Sequence, residues 1–463
     1  GGVTMHSFFQ LPFGPYVADA PRGFGLNENM VDKNALLGKL KLGGNKRTLI
    51  QELELLVIDE VSMLRSDMLD AIDTILRMVR KRNKPFGGVQ VLFIGDLYQL
   101  PPVVKDTEAT IFKTYYQSPF FFHAKVFEQT QPIFIELKKI YRQNEQQFID
   151  ILNNLRNNDL SEQDFDILNS RYNPTFTPKD HKYITLTSHN HKADAINHQE
   201  LEKLKSTVYE YHGEIKGEFN DKQLPTDLLL KLKEGAQVMF IKNDSSGLGR
   251  YYNGKIAVVE AVEDDKIRVN FKNGSATCSI DVKKETWRNI QYKTDKRSNS
   301  IEEKEIGSFT QFPLKLAWAI TIHKSQGLTF EKAIIDAGQA FTPGQVYVAL
   351  SRCTSLEGIV LLSRITEKSL ASDERIVRFC MEQQERSGLE QQLQKARIQY
   401  QQDTICQLFD FNETVLLLEA LQGYAAENEA IGKNTAGWFE QTGQPLTQVS
   451  ANGNKFMVVL QQL

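Results

Sequence analysis

The sequence predicts an α/β fold of two parallel-sheet units, the second interrupted by a small antiparallel barrel, with a helical tail behind them. Three stretches carry that expectation. Leu55-Leu56-Val57-Ile58 runs straight into Asp59-Glu60 and then into a helical pattern. Continuous apolar residues mark a strand covered on both faces, its polar residues delivered to the carboxyl edge where open α/β sheets bind ligands. Val89–Ile94 repeats the pattern and ends in Gly95-Asp96-Leu97-Tyr98-Gln99. Residues 236–311 differ: short strand-like runs are separated by Asn253-Gly254, Glu263-Asp264-Asp265 and Asn273-Gly274, the turn chemistry of antiparallel hairpins.

At 463 residues the chain exceeds one ordinary domain, and 41% hydrophobic with 24% charged residues suits a globular protein with ample core. No apolar run approaches the ~18 residues of a membrane helix and nothing has the layout of a signal peptide, so no membrane partner is expected. Cys278, Cys353, Cys380 and Cys406 lie far apart without a C-x-x-C pair. That argues against zinc and disulfides and fits a reducing cytosol. The net charge of −3 excludes bulk attraction to a polyanion, so nucleic-acid contact has to come from local patches.

The chain opens at Gly1, without an initiator methionine, on Gly1-Gly2-Val3-Thr4-Met5-His6-Ser7-Phe8-Phe9. Amides and hydroxyls there suit phosphate, and an exposed ring can stack on a base; a core-directed Phe pair is the plainer reading. Residues 11–45 turn to Pro, Gly, Asn and Lys, an irregular inserted subdomain. At the first strand end, Asp59 and Glu60 suit Mg²⁺ held through water and a second water polarised toward phosphate, against the alternative of a solvated acidic turn. Ser66-Asp67 is expected to cap a helix with Met68, Leu69, Ile72, Ile75, Leu76 and Val79 on its apolar face. Asp96 and Gln99 should emerge on the same sheet edge as Asp59 and Glu60. A glutamine placed there hydrogen-bonds both a water and a phosphate oxygen.

A third strand is expected at Pro132–Leu137, with Arg142 following it in reach of phosphate. Helical patterns cover 145–157 and 161–171, and Asn173-Pro174 and Thr177-Pro178 mark a boundary. Tyr183–Thr187 opens the second α/β unit; Ser188-His189-Asn190 then suits backbone phosphate contact or simple helix capping. The barrel strands are expected at 236–241, 256–262, 266–271 and 276–282, with a polar loop at 297–305. Leu314–Ile320 reads as one strand delivering Thr321-Ile322-His323-Lys324-Ser325-Gln326-Gly327. Thr342-Pro343 starts a helix that ends at Arg352, otherwise an ordinary helix-end cation, and Ile359–Leu362 is the last strand. Beyond about residue 386 the chain is Gln-rich and helical, and no chemistry is read there.

From Gly1 to about Cys380 the chain resembles the PIF-type, RecD-like branch of superfamily 1 DNA helicases. The segments are G-G-V-T-M-H-S-F, V-I-D-E-V-S-M, F-G-G-V-Q-V-L-F-I-G-D-L-Y-Q-L-P-P-V, Y-R-Q, L-A-W-A-I-T-I-H-K-S-Q-G-L-T and V-Y-V-A-L-S-R. The resemblance implies two RecA-like domains, residues 1–172 and residues 173–235 with 312–385. It also implies an SH3-like barrel at 236–311 and a wedge in the place of 11–45; residues 386–463 form a helical extension without an assigned role. ATP and Mg²⁺ are the implied cofactors: Asp59 as metal residue, Glu60 activating water, Gln99 sensing the γ-phosphate, Arg142 and Arg352 as arginine fingers, Gln326 and Gly327 coupling nucleotide to DNA. His6, Ser7, Phe8, Thr187, His189, Thr321, His323 and Lys324 would touch single-stranded DNA. The implied protein is a monomeric, cytoplasmic, nucleoid-associated motor that acts 5′ to 3′ on single strands and duplex junctions. One motif is missing: no G-x-x-x-x-G-K-[ST] match occurs in the chain. That loop cradles phosphate, so the first domain is expected to be N-terminally incomplete and the chain alone inactive. The competing expectation is an ATPase-inactive nucleic-acid-binding or scaffolding protein on the same fold.

Overall fold

Three short helices lead to the first strand: α1 (Met5–Phe9), α2 (Lys33–Lys39) and α3 (Gly44–Glu52). The computed structural model describes residues 3–11, 14–19, 30–40, 42–178, 183–219, 224–246, 248–273, 276–295, 300–336, 344–367, 373–385, 388–427 and 429–460. Gly1-Gly2, much of the expected 11–45 insertion, Gly274, Arg297, and Thr342-Pro343 lie outside them. The chain divides into two compact units, Gly1–Phe379 and Cys380–Leu463.

In the first unit β1 (Leu55–Ile58) is followed by α4 (Ser66–Arg80) and β2 (Gln90–Phe93), then α5 (Asp106–Tyr115). The two strands pair in parallel, Leu55 opposite Gln90 and Ile58 opposite Phe93. All six apolar positions expected on α4 are buried. The capping expectation is corrected: Arg65 is the N-cap and makes no side-chain cap bond. Ser66 Oγ instead donates to Ser118 O (3.0 Å), and Asp67 accepts from Arg65 and from Tyr16 N (2.9 Å). A second correction concerns the sheet faces. Ile58 is buried, but Leu55, Val57, Leu92 and Ile94 are about half exposed on the other side of the pleat. Continuous apolar sequence therefore marks a strand here without both faces being covered among the described residues. The third strand expected at 132–137 does not form, and Ile133, Ile135 and Leu137 are exposed. Among the described residues the segment finds no neighbour to share a ladder with, and apolar content alone makes no strand.

Next come α6 (Gln146–Arg156) and α7 (Glu162–Asn169), the latter opened by a Ser161–Asp164 capping box. β3 (Ile184–Thr187) and α8 (Asn190–Lys203) begin the second α/β layer. The chain then runs through β4 (Tyr209–His212), β5 (Glu214–Gly217), β6 (Leu229–Leu232), β7 (Gln237–Phe240), β8 (Ile256–Val262), β9 (Lys266–Asn273), β10 (Ala276–Lys283), β11 (Glu285–Asp295) and β12 (Ser300–Gln311). Residues 300–305, expected as loop, belong to β12, which ladders against β11 as a long hairpin.

The single strand expected at 314–320 is two strands in two sheets. β13 (Leu314–Leu316) pairs antiparallel with β7, and β14 (Ala319–Thr321) pairs parallel with β3. The crossing is fixed on both sides: Ala317 N donates to Gln237 O (3.0 Å) and Thr185 N to Trp318 O (2.8 Å). β15 (Ala333–Ile335), α9 (Gln345–Ser351) and β16 (Ile359–Leu361) complete a parallel sheet of order β14-β3-β15-β16; β10-β9-β8-β7-β13 is antiparallel. Each sheet has its own core. Leu186, Ile320, Ile335 and Val348 pack in the first; Val238, Phe240, Val269 and Phe312 pack in the second.

α10 (Glu374–Glu385) leads into the second unit, formed by α11 (Leu389–Leu408), α12 (Asn412–Glu427) and α13 (Glu429–Leu460). Among the described residues no helix is long and apolar enough to cross a membrane.

Candidate functional site

The turn after β1 is locked to the end of β2. Glu60 takes a left-handed backbone (φ 52°, ψ 46°), uncommon for a residue with a side chain. Val61 N donates to Ile94 O (3.0 Å), and a methyl group on Gly95 would lie 2.8 Å from Val61 N. Only glycine lets the two turns meet that closely. Asp59 is exposed, and one of its oxygens accepts from Glu60 N (2.8 Å). The Glu60 carboxyl is held above its ordinary range by burial, then by the charge of Asp59; Arg352 opposes this and Asp96 adds to it.

Asp96 gathers the next layer. Its Oδ1 accepts from Tyr98 N (3.2 Å); its Oδ2 accepts from Gln99 Nε2 (3.3 Å) and from the Tyr347 hydroxyl (3.0 Å) of α9. Gln99 Oε1 accepts from Arg352 Nη2 (3.4 Å). The backbone of α9 presses on the same loop: at Gly344 (φ 84°) a methyl group would lie 2.7 Å from Gln99 O. Thus residues from β1, β2 and α9 converge as the sheet-edge reading requires.

Arg352 is 2% exposed. Burial, then the neighbouring Arg142, pulls its guanidinium down to about 10, against the opposing pull of Glu60. Arg142 donates to Ser351 O (3.0 Å) and Thr329 Oγ1 (3.1 Å), and burial lowers its pKa too. Among the described residues neither arginine forms an ion pair. Two poorly solvated cations side by side, without a carboxylate partner, are costly unless an anion joins them. Among the described residues Gln326 Nε2 and Ser62 Oγ are also buried without a hydrogen-bond partner. No cluster of three or more His, Cys, Asp or Glu suited to a metal occurs among the described residues. Asp59 with Glu60 therefore fits an ion that draws most of its ligands from water and phosphate, as Mg²⁺ does.

The residues expected to touch DNA fall in two places. At the carboxyl ends of β3 and β14, Thr187 lies opposite Thr321. Both are buried, and their hydroxyls serve the turns: Thr187 Oγ1 donates to His189 O (2.9 Å), and Lys324 N donates to Thr321 Oγ1 (3.3 Å). His189 and Lys324 are exposed and His323 is half-buried, its pKa lowered by burial. Gly327 follows with φ 73° and open space around it. Elsewhere, α1 presents His6 and Ser7 to solvent, with Phe8 half-buried and edge-on to Phe9 at 4.8 Å. Lys46 of α3 clamps this helix, its Nζ donating to Ser7 O (2.6 Å) 5.7 Å from the Phe8 ring centre.

Tyr347, Gln143 and Arg156 were not singled out by the sequence. Buried Gln143 donates to Ser351 O (3.1 Å) and Cys353 O (2.9 Å), pinning the Arg142 segment to the end of α9. Its place in Y-R-Q was the available signal. Tyr347 had one as well, a polar handle on an otherwise apolar helix five residues before Arg352.

Comparison with known proteins assigns the family. Residues 1–166 match the PIF1-like helicase model, and residues 392–463 match a DNA helicase middle domain. Human ATP-dependent DNA helicase PIF1 is 33% identical over 392 residues, 82% of this chain and 54% of the human protein. The chain thus spans about half the length of that relative. ATP-dependent DNA helicase Pif1 of Campylobacter jejuni is 32% identical over 375 residues, 77% of each chain. Bacteroides sp Pif1, solved in complex with ADP-AlF4, is 42% identical with a TM-score of 0.73, over 83% of this chain and 84% of that one. Bacteroides Pif1 bound to ssDNA is 43% identical with a TM-score of 0.57, over 82% and 83%. The chain belongs to the PIF1-like helicase family.

Proposed function

We propose that this chain is the motor of an ATP-dependent DNA helicase that moves 5′ to 3′ on single-stranded DNA and opens duplex at junctions. The observation that carries the reading is Arg352: a buried cation without an ion-pair partner among the described residues, hydrogen-bonded to Gln99 and electrostatically coupled to Glu60. A polyphosphate satisfies it, and the acidic pair at the end of β1 supplies the ion and water chemistry that phosphoryl transfer needs. Relatives named ATP-dependent DNA helicase and solved with ADP-AlF4 or ssDNA support the same choice.

Bound Mg-ATP supplies the γ-phosphoryl group whose transfer to water drives movement. Asp59 would hold the ion, and Glu60, its proton affinity raised, would take the proton of the attacking water. Gln99 orients that water, while Arg142 and Arg352 hold the phosphate oxygens as charge spreads over them. Gln326 and Gly327 connect this edge to the strand-binding side. There His189, His323 and Lys324 face the DNA backbone, Thr187 and Thr321 shape their turns, and His6, Ser7 and Phe8 offer a second contact. We assign residues 1–172 and 173–235 with 312–385 to two RecA-like domains, 236–311 to an SH3-like barrel, and 11–45 to the strand-separating insertion; 386–463 is a helical extension. The bacterial relatives support action in the cytoplasm, and action on nucleoid DNA is part of the same proposal.

The test is Glu60→Gln in the full-length protein. DNA-stimulated ATP hydrolysis should fall by at least ~10³, in the range of losses seen for key groups in phosphoryl transfer, while ATP-dependent DNA binding persists. Undiminished turnover removes Glu60 from the catalytic role.

A further inference from the structure

Asp96 has no place among the roles assigned above, yet it stands where the two α/β layers meet. One of its oxygens accepts from Gln99 on its own loop and from Tyr347 on α9. Gln99 gives its oxygen to Arg352, which closes the same helix five residues beyond Tyr347. The chemistry of the groups fixes the sense of this ring. An ionised carboxylate only accepts, so the nitrogen of Gln99 faces Asp96; a guanidinium only donates, so the oxygen of Gln99 faces Arg352.

We propose that Asp96 and Tyr347 are positioning residues. The Asp96 carboxylate fixes the Gln99 amide with its acceptor oxygen toward Arg352, and the Tyr347 hydroxyl latches α9 to that same carboxylate. One group thereby sets both the orientation of Gln99 and the seat of Arg352. Once Arg352 turns to a phosphate, the oxygen it leaves is already directed to accept from a water and is not free to flip. This rests on the ATP-hydrolysis reading above.

Two independent features back the latch. Arg156 supports the carboxylate from the far side: its Nε is buried without a hydrogen-bond partner 3.9 Å from Asp96 Oδ1, and its Nη1 lies 3.3 Å from Glu136. Gly344 lets the start of α9 press on the Gln99 carbonyl, so the backbones are in contact where the side chains bond.

The experiment uses the full-length protein with D96A, Q99A, the D96A/Q99A double variant and Y347F. DNA-stimulated hydrolysis is followed against ATP concentration, and hydrogen exchange of residues 345–351 is followed in nucleotide-free protein. If Asp96 acts through Gln99 and the latch alone, D96A lowers kcat with the KM for ATP within about twofold, and the double variant falls below Q99A by no more than Y347F falls below the unmodified protein. A larger fall overturns that role. Asp96→Asn repeats the comparison if D96A does not fold. Y347F keeps the ring and removes one hydrogen bond to a charged acceptor, so exchange across 345–351 should quicken at least about fivefold. Unchanged exchange overturns the latch, whether or not ATP is hydrolysed. Quickened exchange in Y347F, with no hydrolysis by the unmodified protein, sustains the latch and sinks the helicase reading instead.

Discussion

Glu60 sits half-buried on a left-handed turn, with Asp59 beside it and Arg352 and Asp96 across from it. In its proposed role as base it has to be ionised, and its pKa is raised above 4.5, so activity should be lost on acidification at a higher pH than for an ordinary glutamate. The acid limb of kcat/KM against pH, which reports the nucleotide-free protein, should therefore lie above 4.5 in the full-length protein. Asp96→Asn, by removing one of the charges that raise it, should move the limb downward. A limb at or below 4.5 would show that another group controls the profile. The acids, the glutamine and Arg352 were legible because each follows an apolar strand or ends a helix, whereas Arg142 was legible only through Y-R-Q, since the strand expected before it does not form. Asp96 with Tyr347 was not: the partners are 251 residues apart, and no local pattern tells a tyrosine which carboxylate it will meet.

At the scale of elements, α4 was read correctly from its 3.6-residue stripe, yet half of its work is done by residues a stripe does not show. Asp67, Asp70 and Asp73 recur every three residues and are buried. Each clips a connecting segment to the helix: Asp67 accepts from Tyr16 N, Asp70 from Lys125 N and Val126 N, Asp73 from Phe86 N. Arg65 and Arg77 neutralise the outer two. For Asp70 burial outweighs its two amide bonds and raises the pKa from 3.8 to about 6. The folded state then holds the proton more tightly than the unfolded chain. Its contribution to stability is fully present below pH ~4 and declines as pH rises through ~6, opposite in sign to a salt-bridged aspartate. Denaturant titration should show that decline, up to about 3 kcal/mol by linkage, and Asp70→Asn should flatten it. An unaltered pH dependence in that variant would assign the effect to another carboxylate. Strands were less legible than this helix. The run at 132–137 forms none and that at 314–320 splits, because a strand exists only where an edge in register accepts it.

For the molecule as a whole, a net charge of −3 means that the proposed single-strand affinity rests on a few local cations. Each phosphate contact on a single strand adds about 0.7 to the slope of log affinity against log salt. Lys324→Ala should lower that slope by about this amount and weaken binding evenly across sequences. An unchanged slope would place Lys324 off the DNA path. The partially exposed Leu55, Val57, Leu92 and Ile94 form an apolar face on the first sheet that composition never announced, since the sequence reads the same whether or not a face is covered.

Legible in the chain alone were α4 and the strands on either side of it, the polar residues at the strand ends and, through spaced motifs, the family. These are local facts: a strand needs its apolar run, and a phosphate site needs acids, amides and guanidiniums at fixed offsets from it. Which of those residues meet was settled by packing in three dimensions. It buried Arg352 beside Arg142, turned the Gln99 amide between Asp96 and Arg352, kept the hydroxyls of Thr187 and Thr321 for their own turns, and left one face of β1 and β2 about half exposed among the described residues. Hydrogen bonds and burial act over a few ångströms in space whatever the separation along the chain. The chemistry of the site could thus be read in order, but its wiring could not.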